Sequence, residues 1–176
     1  MGGFRKWTKA ELEQREKDQH NPEWLAWLAD MDAGLETFFA VDVRDMPVEP
    51  FTAAGLDHAE QALLHRFSSS DSLLDVKNAG MVDRFHRYLG ETFIKSGFEG
   101  RWMNVRITSG RGTGVFFDRR GFEPVVREPF TDSYLEVVML ALAAVERRTG
   151  HEWSWVYRNA EEDYAEWVDN GRPNIS

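Results

Sequence analysis

Hydrophobic positions recur at three- and four-residue steps through most of the first hundred residues, which predicts a succession of amphipathic helices. Thr8 and Glu11 have the spacing of a capping box, and the residues after them, to about Gln19, are almost wholly polar. We therefore expect residues 1–20 to form an exposed N-terminal helix and residues 21–176 to form a single domain.

Two further helices follow in the first half of the chain. Asn21 and Pro22 supply an N-cap and a first-turn proline, and the apolar pattern behind them continues to about Phe39. A third helix is predicted to begin at residues 57–60 and to end before the serines at 68–70.

The broadest apolar face belongs to a fourth helix, predicted over residues 79–95 and ended by Gly97. Gly90 interrupts this face, and a glycine inside an apolar helix indicates close packing by a neighbouring element. The helix is expected to lie at the centre of the core.

Beyond Gly100 the pattern changes to short apolar runs separated by glycine-rich turns, which predicts three antiparallel strands over residues 102–107, 113–118 and 122–127. Pro124 fits an edge strand or a bulge, because proline donates no ladder hydrogen bond. Residues 109–114 superficially resemble a phosphate-binding loop, but they lead into a strand, so we interpret them as a hairpin turn.

The C-terminal third is predicted to contain two helices. The first begins at Asp132 or Ser133 and ends at Gly150, residues 153–157 are expected to be extended, and a last helix runs from Asn159 to residues 170–171. This order predicts an α+β fold in which helices pack on one face of a small, three-stranded antiparallel meander.

Composition adds a size limit and excludes several kinds of chemistry. The chain has 176 residues, of which 42% are hydrophobic and 13% aromatic, so one domain with an aromatic-rich core is expected. It has no cysteine, which excludes a disulfide, a thiolate nucleophile and a zinc site with cysteine ligands. The five histidines lack a metal-binding spacing, and no nucleophile or phosphate-loop motif occurs, so we expect no metal and no cofactor.

Apolar runs are short and the first residues are charged, so we expect neither a membrane-spanning helix nor a signal peptide, and a cytoplasmic protein. The net charge of −9 argues against binding to nucleic acid, because neutralising phosphates requires a basic surface. It leaves a basic protein as a candidate partner.

Charge is unevenly distributed along the chain, which predicts an electrically polarised molecule. The last helix combines acidic residues with two aromatic residues and would suit a basic partner; these residues are Glu161, Glu162, Asp163, Tyr164, Glu166 and Trp167. The predicted strands and their turns carry Arg101, Arg106, Arg111, Arg119, Arg120 and Arg127. The alternative is that both groups are solvated, or that they pair with each other.

A second candidate site is a pocket between the meander and the helices, lined by Tyr88, Glu91, Trp102 and Arg106, which would suit a small enzyme or a ligand-binding domain. Glu91 is the strongest candidate for acid–base chemistry, although a helix-surface carboxylate paired with a nearby Arg or with Lys95 is the simpler explanation.

Residues 85–93 (FHRYLGETF), residues 100–102 (GRW), and Pro129 with Phe130 ahead of a long helix together resemble a pattern of uncharacterised bacterial, actinobacterial-type proteins. Some of these are grouped with the immunity proteins of polymorphic toxin systems. The resemblance covers about residues 80–150 and implies a non-catalytic binding domain. A self-associating protein, forming a symmetric homodimer, is a further alternative.

Overall fold

A long helix with a buried middle organises the molecule, and the other described elements pack around it. The computed structural model describes residues 7–105 and 120–175. The described helices are α1 (Lys9–Asp18), α2 (Pro22–Ala29), α3 (Met31–Thr37), α4 (Ala53–Arg66), α5 (Ser70–Leu74), α6 (Ala79–Lys95), α7 (Val137–Arg147) and α8 (Glu152–Asp169), with a π-helical turn at Phe38–Asp42 and a 3-10 turn at Val76–Asn78. The described strands are β1 (Arg101–Asn104), β2 (Pro124–Arg127) and β3 (Tyr134–Leu135).

Helix α6 is the central element, with the bounds that its sequence pattern predicts and ten of its seventeen residues buried. Its core contacts are largely aromatic. The Phe38 ring stacks on Tyr88 at 4.7 Å between ring centroids and meets Phe85 edge-on at 5.0 Å. Aromatic pairs of this geometry add about 0.5–1.5 kcal/mol each beyond the area that they bury.

The three described strands form one antiparallel sheet in the order β1-β2-β3, and helices α6 and α7 pack against β2. Trp102 and Leu135 both pair with Val126. The predicted α+β class, with helices against a small antiparallel sheet, is therefore confirmed. The predicted strand over 113–118 and the turn over 109–114 lie outside the described residues.

Two predictions about the sheet are wrong. Tyr134 and Leu135 were expected in a helix, but they pair with Arg127 and Val126 as strand β3, and the helix begins only at Val137, where its buried face starts. Pro124 is in the middle strand of the described sheet rather than at an edge. It is the first residue of β2, and the pairing with β3 begins only at Val126, so proline is accommodated there.

The helix predicted from Asn21 to Phe39 is interrupted at Asp30. Asn21 caps α2 as expected, accepting hydrogen bonds from the backbone N–H groups of Glu23 and Trp24. At the other end, the Arg87 guanidinium donates to the carbonyl of Trp27 at 2.8 Å. That carbonyl would accept from Met31 in a continuous helix, so a side chain from α6 replaces a helical hydrogen bond at the break.

The segment predicted to be extended at residues 153–157 is helical and belongs to α8. The Glu60 carboxylate in α4 accepts hydrogen bonds from the backbone N–H groups of Glu152 at 3.1 Å and Trp153 at 2.9 Å. These are two of the N–H groups that a helix leaves unpaired at its start. Because the cap comes from a residue distant in sequence, α8 begins seven residues before the predicted Asn159.

Helix α1 has the predicted capping box between Thr8 and Glu11, and none of its residues is buried. It is nevertheless tied to the sheet. The Gln19 side chain donates to the Asn104 carbonyl at 2.8 Å and accepts from the Asn104 N–H at 2.9 Å. In the described ranges, no helix has both the length and the apolar character needed to cross a lipid bilayer.

Candidate functional site

Helix α8 presents two chemically different faces, because residues seven and eleven apart return to the same side of a helix. The inner face packs on the domain through Trp153, Tyr157 and Ala160, which are buried. Trp153 is fixed there by an indole N–H that donates to the Leu140 carbonyl at 2.9 Å. The helix is therefore held along one side and open along the other.

We call the open side the outer face of α8 and define it by Trp155, Glu162, Glu166 and Asp169, with Glu161 and Asp163 on its flanks. Trp155 is 58% exposed, which is unusual for a tryptophan in a folded domain. All five carboxylates are exposed, and none forms an ion pair with any residue of the described ranges. Arg158, which is also exposed, adds one positive charge to this face, so an exposed indole lies on a face with a net excess of carboxylates.

The predicted partner-binding residues divide between the two faces. Glu161, Glu162, Asp163 and Glu166 are exposed, whereas Tyr164 and Trp167 are half-buried on the domain side. The Tyr164 ring packs on Phe98 and Phe130, and its hydroxyl donates to Glu99 at 2.9 Å. The Trp167 indole N–H donates to the Pro173 carbonyl at 2.9 Å. Both aromatic side chains therefore pack toward the domain and hold α8 in place, rather than facing solvent.

Trp155 was missed by sequence reasoning because residues 153–157 were predicted to be extended. A signal was present nonetheless: Trp155 precedes Glu162 by seven residues and Glu166 by eleven, so a helical interpretation of this segment puts all three on one face.

The described arginines of the strands and their turns, Arg101, Arg120 and Arg127, form no ion pair with a carboxylate of α8. Arg101 and Arg127 lie directly opposite each other on β1 and β2, beside an open hollow of about 320 Å³, and Arg120 lies over the Phe122 ring. Arg127 donates to the Thr131 carbonyl rather than to a carboxylate of α8. Arg106, Arg111 and Arg119 lie outside the described residues, so an electrically polarised molecule stays a prediction.

The residues of the alternative pocket are partly brought together. The Trp102 indole N–H donates to the Glu91 carboxylate at 2.7 Å, and Lys95 pairs with the same carboxylate at 3.4 Å. Tyr88 is buried, and its hydroxyl donates to the Pro50 carbonyl at 2.7 Å. The Trp102 ring lies against Gly90 so closely that a Cβ there would overlap it, which is the close packing that this glycine predicted. Arg106 lies outside the described ranges.

A depression of about 200 Å³ adjoins the Asp163 flank of α8. We call it the Glu128 depression and define it by Glu128, Ser133, Tyr134, Asn159 and Asp163, all of which line it. Burial raises the pKa of the Glu128 carboxyl to about 7; the Asp163 carboxylate also raises it, and the Arg127 guanidinium opposes the shift. A carboxyl group with this pKa changes its charge near neutral pH.

Within residues 7–105 and 120–175, no three His, Asp or Glu side chains lie close enough together to hold a metal ion. No family model, curated protein or solved structure matches the chain. The resemblance to immunity proteins therefore stays a prediction, and inference about function depends on the outer face of α8 and the depression beside it.

Proposed function

We propose that this protein is a non-catalytic binding domain that recognises a basic protein through the outer face of α8. The observation that supports this most directly is the exposed Trp155 on a helix face where the exposed carboxylates of Glu162, Glu166 and Asp169 outnumber one exposed cation, Arg158. An immunity-type or accessory protein would fit this description, and a cytoplasmic location is part of the same proposal.

Trp155 has the properties of an interface anchor. Tryptophan is among the residues whose removal most often costs 2 kcal/mol or more of binding free energy, a loss of about 30-fold in affinity. The Trp155 indole is 58% exposed, although other tryptophans of the chain, Trp24, Trp27 and Trp153, are buried. A partner that covers this ring would gain hydrophobic burial that the isolated domain does not obtain.

The carboxylates around Trp155 determine the kind of partner. Because Glu162, Glu166 and Asp169 have no ion-pair partner in the described part of the chain, their field is directed at solvent. Surfaces of this type accelerate association with an oppositely charged protein and select against acidic ones. The overall charge of −9 also favours a basic partner over an acidic one.

The rigidity of α8 also favours binding. Glu60 fixes its first turn, Trp153 and Tyr157 are buried along its length, and Tyr164 bonds Glu99 near its end. A surface that is already ordered loses little conformational entropy when a partner docks, so more of the contact energy appears as affinity.

The test is capture from an extract of the source organism at low salt, followed by purification of the captured protein and measurement of its affinity. We expect one basic protein at a stoichiometric ratio, bound about 30-fold more weakly by Trp155→Ala. The double variant Glu162→Lys/Glu166→Lys should slow association and reduce its dependence on salt.

Matched controls are available in α1 and just before it, where exposed residues of the same types occur. Trp7→Ala and the double variant Glu13→Lys/Glu16→Lys make the same changes away from α8 and should leave the affinity within twofold. The proposal fails if the captured protein is acidic, or if the α1 and α8 variants bind it equally. It also fails if light scattering shows a symmetric homodimer whose stability depends on Trp155.

A further inference from the structure

The Glu128 depression contains a buried carboxylate that makes no hydrogen bond to any residue the structure describes. We propose that this depression binds the cationic end of a lysine or arginine side chain supplied by the basic partner. The inference rests on the proposed function, because the side chain would come from a protein already docked on the neighbouring outer face of α8.

Glu128 is both buried and without a hydrogen-bond partner among the described residues. Its side chain is 5% exposed, it makes no hydrogen bond to a described residue, and its Oε1 atom is fully buried without a partner. Buried carboxylates are normally paired or hydrogen-bonded, because an isolated charge is costly to remove from water. Glu128 also lines an open depression, from which a ligand can supply a donor that the described residues do not.

The surroundings of Glu128 determine the charge of that ligand. Asp163 adds a second carboxylate from α8, while Asn159 and Ser133 contribute side-chain oxygens that can accept hydrogen bonds. The nearby guanidinium groups donate to neutral acceptors, Arg127 to the Thr131 carbonyl and Arg15 of α1 to the Tyr134 hydroxyl, and the charge of Arg127 offsets only part of the burial of Glu128. The depression thus offers acceptors and negative charge, and it requires a donor with positive charge.

The apolar part of the lining fits the rest of such a side chain. Phe130, Leu135, Val156 and Ala160 contribute to the same depression. Lysine and arginine commonly lay their methylene stems along apolar surface while the charged end reaches a polar group. The apolar lining therefore suits the methylene stem of a basic side chain, and the carboxylates suit its charged end.

Protonation of Glu128 gives the site a characteristic pH dependence. The carboxyl has a pKa of about 7 in the unoccupied site, so at lower pH a bound cation must first displace a proton. Affinity should be nearly constant above about pH 8 and about tenfold weaker at pH 6. A bound cation should in turn lower the pKa of Glu128.

The first test is an NMR titration of the full-length, ¹³C-labelled protein with N-acetyl-arginine methylamide and N-acetyl-lysine methylamide, observed at the Glu128 carboxyl carbon. We expect saturable binding at pH 8, about tenfold weaker binding at pH 6, and no binding of the neutral N-acetyl-norleucine methylamide. Glu128→Gln, which keeps the side-chain shape, should weaken binding at least tenfold. Glu36→Gln, an equal change of charge at an exposed residue of α3, should leave it within twofold. Binding that survives Glu128→Gln, or that is the same at pH 6 and pH 8, overturns the inference.

A second measurement separates this inference from the proposed function. If a basic partner depends on Trp155 but binds Glu128→Gln as tightly as the wild type, the inference is wrong and the proposed function stands. If the arginine probe binds at Glu128 but no basic protein is captured, the site takes a free cation and the assignment to a partner is overturned. A partner whose affinity falls at least tenfold in Glu128→Gln supports both.

Discussion

Replacing Glu60 with alanine removes the acceptor for the first two backbone N–H groups of α8. Its carboxylate lies 3.1 Å from the N–H of Glu152 and 2.9 Å from that of Trp153, and all three residues are buried. The residue that precedes the helix, His151, makes no side-chain cap of its own. Without Glu60, both N–H groups would be buried and unpaired.

The expected loss follows from two opposing contributions. A hydrogen bond to a charged group stabilises a protein by about 1.5–3 kcal/mol, so two such bonds set an upper limit of about 6 kcal/mol. Burial raises the pKa of Glu60 in spite of these bonds, which shows that desolvation of its charge offsets part of the gain. We expect Glu60→Ala to lower the free energy of unfolding by about 3 kcal/mol, and Glu60→Gln, which keeps one acceptor oxygen, by about half as much.

Urea denaturation followed by tryptophan fluorescence measures the loss, and hydrogen exchange at the Glu152 and Trp153 amides locates it. Glu161→Ala is the control, because Glu161 is an exposed carboxylate in the same helix; its effect should stay within about 0.5 kcal/mol. A loss below about 1 kcal/mol for Glu60→Ala, or unchanged protection of the Trp153 amide, would refute the view that Glu60 begins the helix.

Two other predictions concern α6. Gly90→Ala would drive a Cβ into the Trp102 ring and should lower the free energy of unfolding by about 2 kcal/mol or more. In the control Gly80→Ala, the nearest atom to the new Cβ would be 3.9 Å away, so the change should be neutral or stabilising by up to about 1 kcal/mol. Equal effects of the two variants in urea unfolding would contradict the packing argument. Burial lowers the pKa of His86 from 6.5 to about 4, so the unfolded chain takes up a proton at this residue before the folded chain does. The contribution of neutral His86 to stability is therefore complete above about pH 6.5 and falls by about 3 kcal/mol as the pH drops to 4. The wild type and His86→Gln should therefore differ in the pH dependence of their unfolding free energy over this range, and parallel curves would exclude His86 as the cause.

Local signals were sufficient for several elements. The bounds of α6 follow from its apolar periodicity and from Gly97, and Thr8 with Glu11 determines the start of α1, because caps and amphipathic faces involve residues within one or two turns. The α+β class also follows from the order of such patterns. Gly90 even indicated close packing, although the Trp102 ring that causes it could not be identified from the glycine alone.

The tertiary structure decided the features that depend on distant residues. Arg87 of α6 interrupts the helix at Asp30, and Glu60 of α4 begins α8, through hydrogen bonds that no local pattern encodes. The start of α8 in turn decides which aromatic residue reaches solvent. Trp155 joins the acidic outer face, while Tyr164 and Trp167 support the helix from inside.

The Glu128 depression has the same origin. It is formed by residues of the turn between β2 and β3, of β3 itself and of α8, so it exists only after these segments have packed together. The sequence by itself determined that α8 is rich in carboxylates and that the chain lacks thiol chemistry. Which carboxylate is buried, and which lies free on the surface, depends on the desolvation and the neighbours that only the folded chain provides.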